Sequence, residues 1–263
     1  MNAPELTSLL ALVAPHAWAL ALCSARLVPI AFLSPILGGQ AAPATVRLGL
    51  VLALAFGLHF AGGVGEAVRL GGVAAAAGVV REAVFGTAIG LVAALPFDAA
   101  RIGGRLVDLF RGTSAEAALP VTGTRESATG DALYQLLVAL AVTGGAAAQL
   151  LGAVWRSFGL VRLGAFVPTE SMALQISGLA GTALAVGLAV GAPVAGLSLL
   201  VDAFLGLASR AAPQLHLQEL GAPLRILGGG AALWLGIGLA ADRLLAGIGT
   251  STDWLARLAE VAR

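Results

Sequence analysis

The stretch MALQISGLAGTALAVGLAVGAPVAGLSLLV, residues 172–201, carries no charged side chain between Glu170 and Asp202. About 20 mostly apolar residues in a helix suffice to cross a bilayer, and this run exceeds that length. The rest of the chain has the same character. Of its 263 residues, 59% are hydrophobic and 11% charged, with a mean hydropathy of +0.94. An ordinary soluble domain is about half apolar and about a quarter charged. Fourteen acidic and 15 basic residues cannot cover a soluble globule of this size. Disorder is excluded, because it requires low hydrophobicity and high net charge. The single Cys23 excludes a disulfide scaffold. A net charge of +1 with no basic stripe argues against nucleic acid as a partner. The fold class that remains is all-α: a polytopic helical membrane protein.

Every basic residue is Arg, and Asn2 is the only Asn. Ala and Gly together make up about a third of the chain. A GC-rich genome would produce this bias. Its physical consequence is a set of smooth, thin helices that pack closely on one another and are less drawn to lipid than Leu- or Phe-rich ones.

Six apolar helical segments are expected. The first covers residues 6–25, between Glu5 and Arg26. It lacks the basic n-region of a secretory signal, and the bulky Leu22 before Cys23 argues against lipoprotein processing, so it reads as a retained helix. Residues 27–46 are charge-free but interrupted by Pro29, Pro35 and Pro43 around Gly38-Gly39. That spacing predicts a loop or re-entrant turn, then a helix from about Pro43 or Ala44 to Phe60, ended by Gly62-Gly63-Val64-Gly65. A third segment, 70–97, carries Arg81-Glu82 and closes at Pro96. Residues 132–155 form a fourth, 172–201 a fifth and 226–241 a sixth. The tail, 242–263, mixes Leu244, Leu245, Trp254, Leu255, Leu258 and Val261 with charges and reads as a short amphipathic helix. The organisation is a first helical half (1–97), a central polar loop (98–131) and a second helical half (132–263). Arg lies on both sides, so the charge rule for orientation does not decide the topology.

Small residues recur every fourth position at Gly86, Gly90 and Ala94, at Ala183, Gly187, Gly191 and Ala195, and at Gly228, Ala232, Gly236 and Ala240. Such ladders let helix backbones approach. An Ala/Gly-rich chain also produces them by chance. No HExxH, GxSxG, Walker loop or Cys pair is present. Gly236-Ile237-Gly238 lies inside an apolar helix with no strand before it, so it is packing and not a dinucleotide loop. His16, His59 and His216 are scattered, with no ligand spacing for a metal. Ser114 has no nearby His to activate it. No cofactor, metal or catalytic residue is expected, and the chain reads as a non-enzyme. Arg26, Arg47, Arg81, Glu82, Asp98 and Asp202 flank or interrupt the apolar runs, where an unpaired charge costs several kcal/mol. Arg26, Arg47 and Asp98 read as helix ends reaching the interface. Arg81-Glu82 and Asp202 lie further inside and favour buried pairing.

Val201-Asp202 through Gly206, then Ser209-Arg210-Ala211-Ala212-Pro213-Gln214 and Gly221-Ala222-Pro223-Leu224-Arg225, resemble the late signature of the FliR/SctT family of flagellar and injectisome export proteins. Arg26, Pro29, Pro35 and Val46-Arg47 resemble the family's early spacing. Glu82 with Gly86 and Gly90 is similar to its third-helix pattern. His216-Leu217-Gln218 departs from it, because the family usually has Asn, a small aliphatic and Phe there. Asp108-Leu109-Phe110-Arg111-Gly112 and Pro120-Val121-Thr122-Gly123 resemble the injectisome (SctT) branch more than the flagellar (FliR) one.

The resemblance implies one export-apparatus membrane domain over 1–263, in a multi-pass protein of the bacterial inner membrane. It implies assembly with SctR and SctS into the entrance pore for unfolded polypeptides, with SctU and SctV as further partners. It implies that the loop over about Arg105 to Gly130 plugs the closed pore. In that loop Phe110 would be the bulky element beside Arg111, and Gly112 with Thr113 and Ser114 the flexible one. A stand-alone small-solute transporter and a membrane-embedded enzyme are the rival readings. The first lacks a convincing inverted repeat, and the second lacks clustered His, Asp or Ser.

Overall fold

The computed structural model describes the backbone of all residues except 1–2, 40–41, 66–71, 114–115, 119–124, 213, 215–216 and 262–263. Side chains of 3–12, 72, 116–118, 125–126, 217–218 and 258–261 are also outside the description. The described chain is helical almost throughout. The helices are α1 (Ala3–Leu33), α2 (Ala44–Phe56, prolonged by a π-turn, Gly57–Ala61), α3 (Gly72–Arg111), α4 (Ala128–Thr143), α5 (Ala146–Leu160), α6 (Glu170–Ala211) and α7 (Gly221–Val261). Between α3 and α4 two three-residue strands, β1 (Glu116–Ala118) and β2 (Arg125–Ser127), pair antiparallel, with Glu116 opposite Ser127.

Five helices are long and apolar enough to cross a bilayer, and there are six if α4 and α5 together count as one span. This bears out the polytopic helical class. The boundaries differ from the sequence reading in one consistent way. Helix α1 continues through Arg26 and Pro29 to Leu33. Helix α3 continues through Pro96 to Arg111, so residues 105–111 are helix and not loop. Helix α6 runs past Asp202 to Ala211. The tail is the second part of one long α7. Charges and prolines interrupt apolar composition but not the helix itself. Pro is tolerated in packed membrane helices because neighbours re-satisfy the freed backbone groups.

The chain forms two compact units. The first comprises Met1–Ala94, Ala147–Leu179 and Thr250–Arg263. Its core includes Leu22, Leu27, Ile30, Phe85, Ile89 and Phe166. Here Gly86 and Gly90 of α3 lie on α1. A β-carbon at Gly86 would stand 2.1 Å from the Arg26 carbonyl oxygen, and one at Gly90 would stand 3.0 Å from Ile30 Cα. This ladder is therefore a real backbone-to-backbone contact.

The connector after α1 is ordered by Ser34. Its hydroxyl accepts from the Ile36 N–H and caps a 3-10 turn, Pro35–Leu37. Gly38 follows at φ +113°. Arg47 folds back on this turn, donating Nε to the Ala42 carbonyl at 3.0 Å and stacking over Phe32 at 4.5 Å.

The second unit comprises Leu95–Ala146 and Ala180–Gly249. A β-carbon at Gly187 would be 2.9 Å from the Ala99 carbonyl oxygen, and one at Gly191 would be 2.8 Å from Leu106 Cβ. The second ladder therefore packs α6 on α3. A contact the sequence did not signal is tighter still. A β-carbon at Gly104 of α3 would lie 2.3 Å from Gly130 Cα of α4. The third ladder behaves differently: Gly236 has nothing within 4 Å, and with Ala232 and Ala240 it borders a shallow apolar cleft of about 50 Å³.

Candidate gating and assembly site

In the first unit the polar chemistry is concentrated on Arg26 and Glu82, both fully buried. Arg26 Nε donates to Glu82 Oε2 at 2.5 Å and Nη2 to Oε1 at 3.1 Å, which makes the pair bidentate. The same guanidinium donates Nη1 to the Ser157 carbonyl at 2.9 Å and Nη2 to the Val161 carbonyl at 3.2 Å. These carbonyls sit at and just past the C-terminal end of α5, where a cation is favourable; the Ser157 carbonyl also accepts the Val161 N–H at 3.0 Å. Glu82 in turn accepts the Gly164 N–H at 2.7 Å, and Gly164 adopts φ +77°. The Arg26 Cζ lies 4.4 Å from the Phe158 ring centroid and 4.8 Å from that of Phe85. One pair therefore ties α1, α3 and the segment after α5.

The sequence reading took Arg26 for a helix end reaching the interface, and the structure corrects this. Arg81 is the opposite case: it is exposed, with one weak contact at 3.4 Å to the Gly164 carbonyl. The buried pairing expected at Arg81-Glu82 holds for Glu82, whose partner is 56 positions away, and not for Arg81.

In the second unit the root of the expected plug loop is a hydrogen-bonded knot on Asp108, which is 6% exposed. Its carboxylate accepts from the hydroxyls of Ser127 and Thr129, from the Thr129 N–H at 3.0 Å and from the Thr113 hydroxyl at 3.4 Å. Ser127 caps α4, its Oγ accepting the Gly130 N–H at 3.0 Å. An anion at this helix N-terminus is favoured by the unpaired N–H groups and the helix dipole.

On the α3 side, Gly112 N–H donates to the Leu109 carbonyl and Thr113 N–H to the Asp108 carbonyl. That pattern is a Schellman motif, with Gly112 at φ +70° as the left-handed residue that ends the helix. Phe110 and Arg111, both half-buried, are thus the last helical residues, and Gly112 is a helix stop. Ser114 and the Pro120-Val121-Thr122-Gly123 motif lie outside the described residues.

Asp108→Ala should orphan the Ser127 and Thr129 hydroxyls and the Thr129 N–H. The expected loss is about 3 kcal/mol of local stability, on the scale of bonds to a charged acceptor. Amide hydrogen exchange over residues 127–130 in the purified protein checks this. Unchanged exchange would show that the knot does not hold the loop root.

The late motif is less gathered. Asp202 and Arg225 approach at 3.5 Å across α6 and α7, but both remain partly exposed, so the buried pairing expected for Asp202 is not found within this chain. Gly206, Arg210 and Gln214 are exposed. Gly221 is buried at the start of α7, where a β-carbon would be 3.4 Å from Leu205 Cδ1. Pro223 sits in the first turn of α7, where its missing N–H has no intrahelical role. Pro213 lies outside the described residues.

The scattered histidines also resolve partly. His16 Nδ1 and His59 Nε2 are 2.8 Å apart, and His59 Nδ1 meets the Val64 carbonyl at 2.8 Å. A carbonyl can only accept, so His59 donates from Nδ1 to Val64, and its Nε2 shares a hydrogen bond with His16 Nδ1. Among the described residues no group of three His, Cys, Asp or Glu could hold a metal.

Long apolar helices, glycine-mediated crossings and a polar knot at a loop root define a multi-pass membrane protein built for helix packing. The family model described as "Bacterial export proteins, family 1" matches residues 17–250. The chain belongs to this family, and the FliR/SctT resemblance of the sequence is thereby shown. The chain is 29% identical to the flagellar biosynthetic protein FliR of Bacillus subtilis (strain 168) over 150 residues, 56% of this chain and 58% of that protein. It is 30% identical to the Yop proteins translocation protein T of Yersinia pestis over 148 residues, 55% of this chain and 57% of that protein. The matches thus span somewhat more than half the length of these relatives.

Proposed function

We propose that this protein is a structural and gating subunit of a type III protein export apparatus in the bacterial inner membrane. It assembles with SctR- and SctS-like subunits into the entrance pore for unfolded polypeptides, with SctU- and SctV-like proteins as further partners. It performs no bond chemistry and needs no cofactor; energy comes from elsewhere in the apparatus.

The observation that carries this reading is the extent of exposed apolar surface along α6. Large apolar side chains are exposed from Leu174 to Leu207, a path of about 50 Å at about 1.5 Å per residue. A hydrocarbon core is about 30 Å thick. Even at a steep tilt of about 40° it covers about 39 Å of helix axis. Part of this apolar surface therefore extends beyond the hydrocarbon core, and neighbouring protein would cover it. Sister subunits with similar Ala/Gly-rich helices meet that need. The partly exposed Asp202–Arg225 pair fits the same reading, because a polar pair facing lipid is expensive.

The end of α3 from Phe110, with the residues between the Gly112 stop and the Ser127 cap, forms the plug. Deleting residues 110–114 should raise ion leakage in cells expressing the complete complex. Intact assembly with unchanged leakage would sink the plug. The flagellar reading is supported by the FliR relative. Injectisome genes beside this one would favour the SctT branch, and motility genes the FliR branch.

A further inference from the structure

We infer that Gly229 and Gly230 of α7 form the seat that positions Arg111, and that this seat holds the root of the plug loop. The inference rests on the plug reading above and identifies the device that keeps the plug in place. Three consecutive glycines, Gly228-Gly229-Gly230, stand inside α7. Glycine weakens a helix interior, so an uninterrupted run needs a packing reason.

Gly228 faces Leu197 Cδ2, 3.3 Å from where its β-carbon would be. The other two face Arg111. A β-carbon at Gly229 would lie 2.5 Å from Arg111 Cγ, 3.1 Å from its Cδ and 3.1 Å from Val194 Cγ1. One at Gly230 would lie 3.3 Å from Arg111 Nη2. The stem of Arg111 thus lies in a trough that any side chain at 229 would fill, with Val194 of α6 beside it.

Two features make this a positioning contact and not incidental packing. Arg111 is the last residue of α3, immediately before the Schellman stop, so its direction is fixed by the helix and it is the loop's point of departure. Its Nε is shut off from solvent and has no hydrogen-bond partner among the described residues. The seat therefore holds Arg111 by shape, against the penalty of a desolvated donor. With no hydrogen bond at Nε among the described residues, the contact depends on close fit, and a small change in fit weakens it. The Asp108 knot ties the same root to α4, and the trough ties it to α7.

Gly229→Ala inserts a methyl group where Arg111 Cγ now packs. Overpacking of this kind should shift the seated-to-unseated ratio by about tenfold or more. The test measures ion leakage in cells producing the whole export complex, for the wild type, the 110–114 deletion, Gly229→Ala, Arg111→Ala and the double variant. Gly229→Ala and Arg111→Ala should both leak, and the double should leak no more than Arg111→Ala alone, because both act through one contact. A leaky deletion beside a tight Gly229→Ala overturns the seat and leaves the plug reading standing. A tight deletion overturns the plug reading itself.

A second measurement covers the case in which Gly229→Ala fails to assemble. In assembled complex, Arg111→Cys/Gly229→Cys should form a disulfide readily under mild oxidation, and Arg111→Cys/Gly236→Cys should not. Equal rates for the two pairs overturn the seat independently of leakage.

Discussion

Replacing Glu82 by Leu is expected to cost 3–5 kcal/mol and to remove most of the protein from the membrane, because it leaves the Arg26 guanidinium buried without its counter-charge. Arg26 is fully buried, so it cannot recover water; the Ser157 and Val161 carbonyls hold only Nη1 and Nη2, leave Nε without the acceptor it has in Glu82, and do not neutralise the charge. Arg26→Leu should do comparable damage, leaving a buried carboxylate that keeps only the Gly164 N–H. The double variant Arg26→Leu/Glu82→Leu should regain most of the loss, since an apolar pair of similar volume is often neutral against a buried ion pair. Accumulation in membranes and thermal aggregation of the detergent-solubilised complex read all three. If the single variants accumulate like the wild type, the pair is not structural. If the double is as poor as the singles, the charges themselves are required.

Gly86→Ala should be nearly as severe, through a different mechanism. The added methyl group would stand 2.1 Å from the Arg26 carbonyl oxygen, 2.8 Å from its carbon and 2.9 Å from its Cα. Those atoms are backbone and cannot rotate away, so α1 and α3 must separate. Overpacking costs typically 1–3 kcal/mol. Here the strain falls on the helix that carries Arg26, so the ion pair lengthens as well and the expected effect is at the upper end. Gly49→Ala in α2, where nothing lies within 4 Å, is the matched control and should be neutral or slightly stabilising. The melting temperature of the purified complex distinguishes them. Equal melting of the two variants would mean that the α1–α3 crossing relaxes freely.

Much of the architecture was legible in residue order. The run between Glu170 and Asp202 could only be a membrane helix, and the ladders Gly86/Gly90 and Gly187/Gly191 marked faces that do meet neighbours. Helix ends were read badly wherever Pro29, Pro96, Asp202 or Asp242 stood, because those residues break hydropathy but not an Ala/Leu-rich helix supported by its neighbours. At the end of α3, sequence marked Asp108, Arg111 and Gly112 through the family resemblance. It did not foresee that Gly112 stops a helix, or that Ser127 and Thr129 close on Asp108.

What the sequence determined by itself was the solvent of the fold. Composition and run length depend on each residue singly, so they specify a membrane environment and the helices that cross it without any knowledge of contacts. What only the tertiary structure decided was partnership. Glu82 meets Arg26 and not its neighbour Arg81, His16 meets His59, and Arg111 lies against Gly229. These pairs are separated by 43 to well over 100 positions, and helix crossings that no local pattern encodes bring them together. A buried charge or an orphaned donor is costly wherever it stands, so the sequence reveals that a partner is needed. Which residue supplies it depends on where two backbones, thinned by glycine, come close enough to touch.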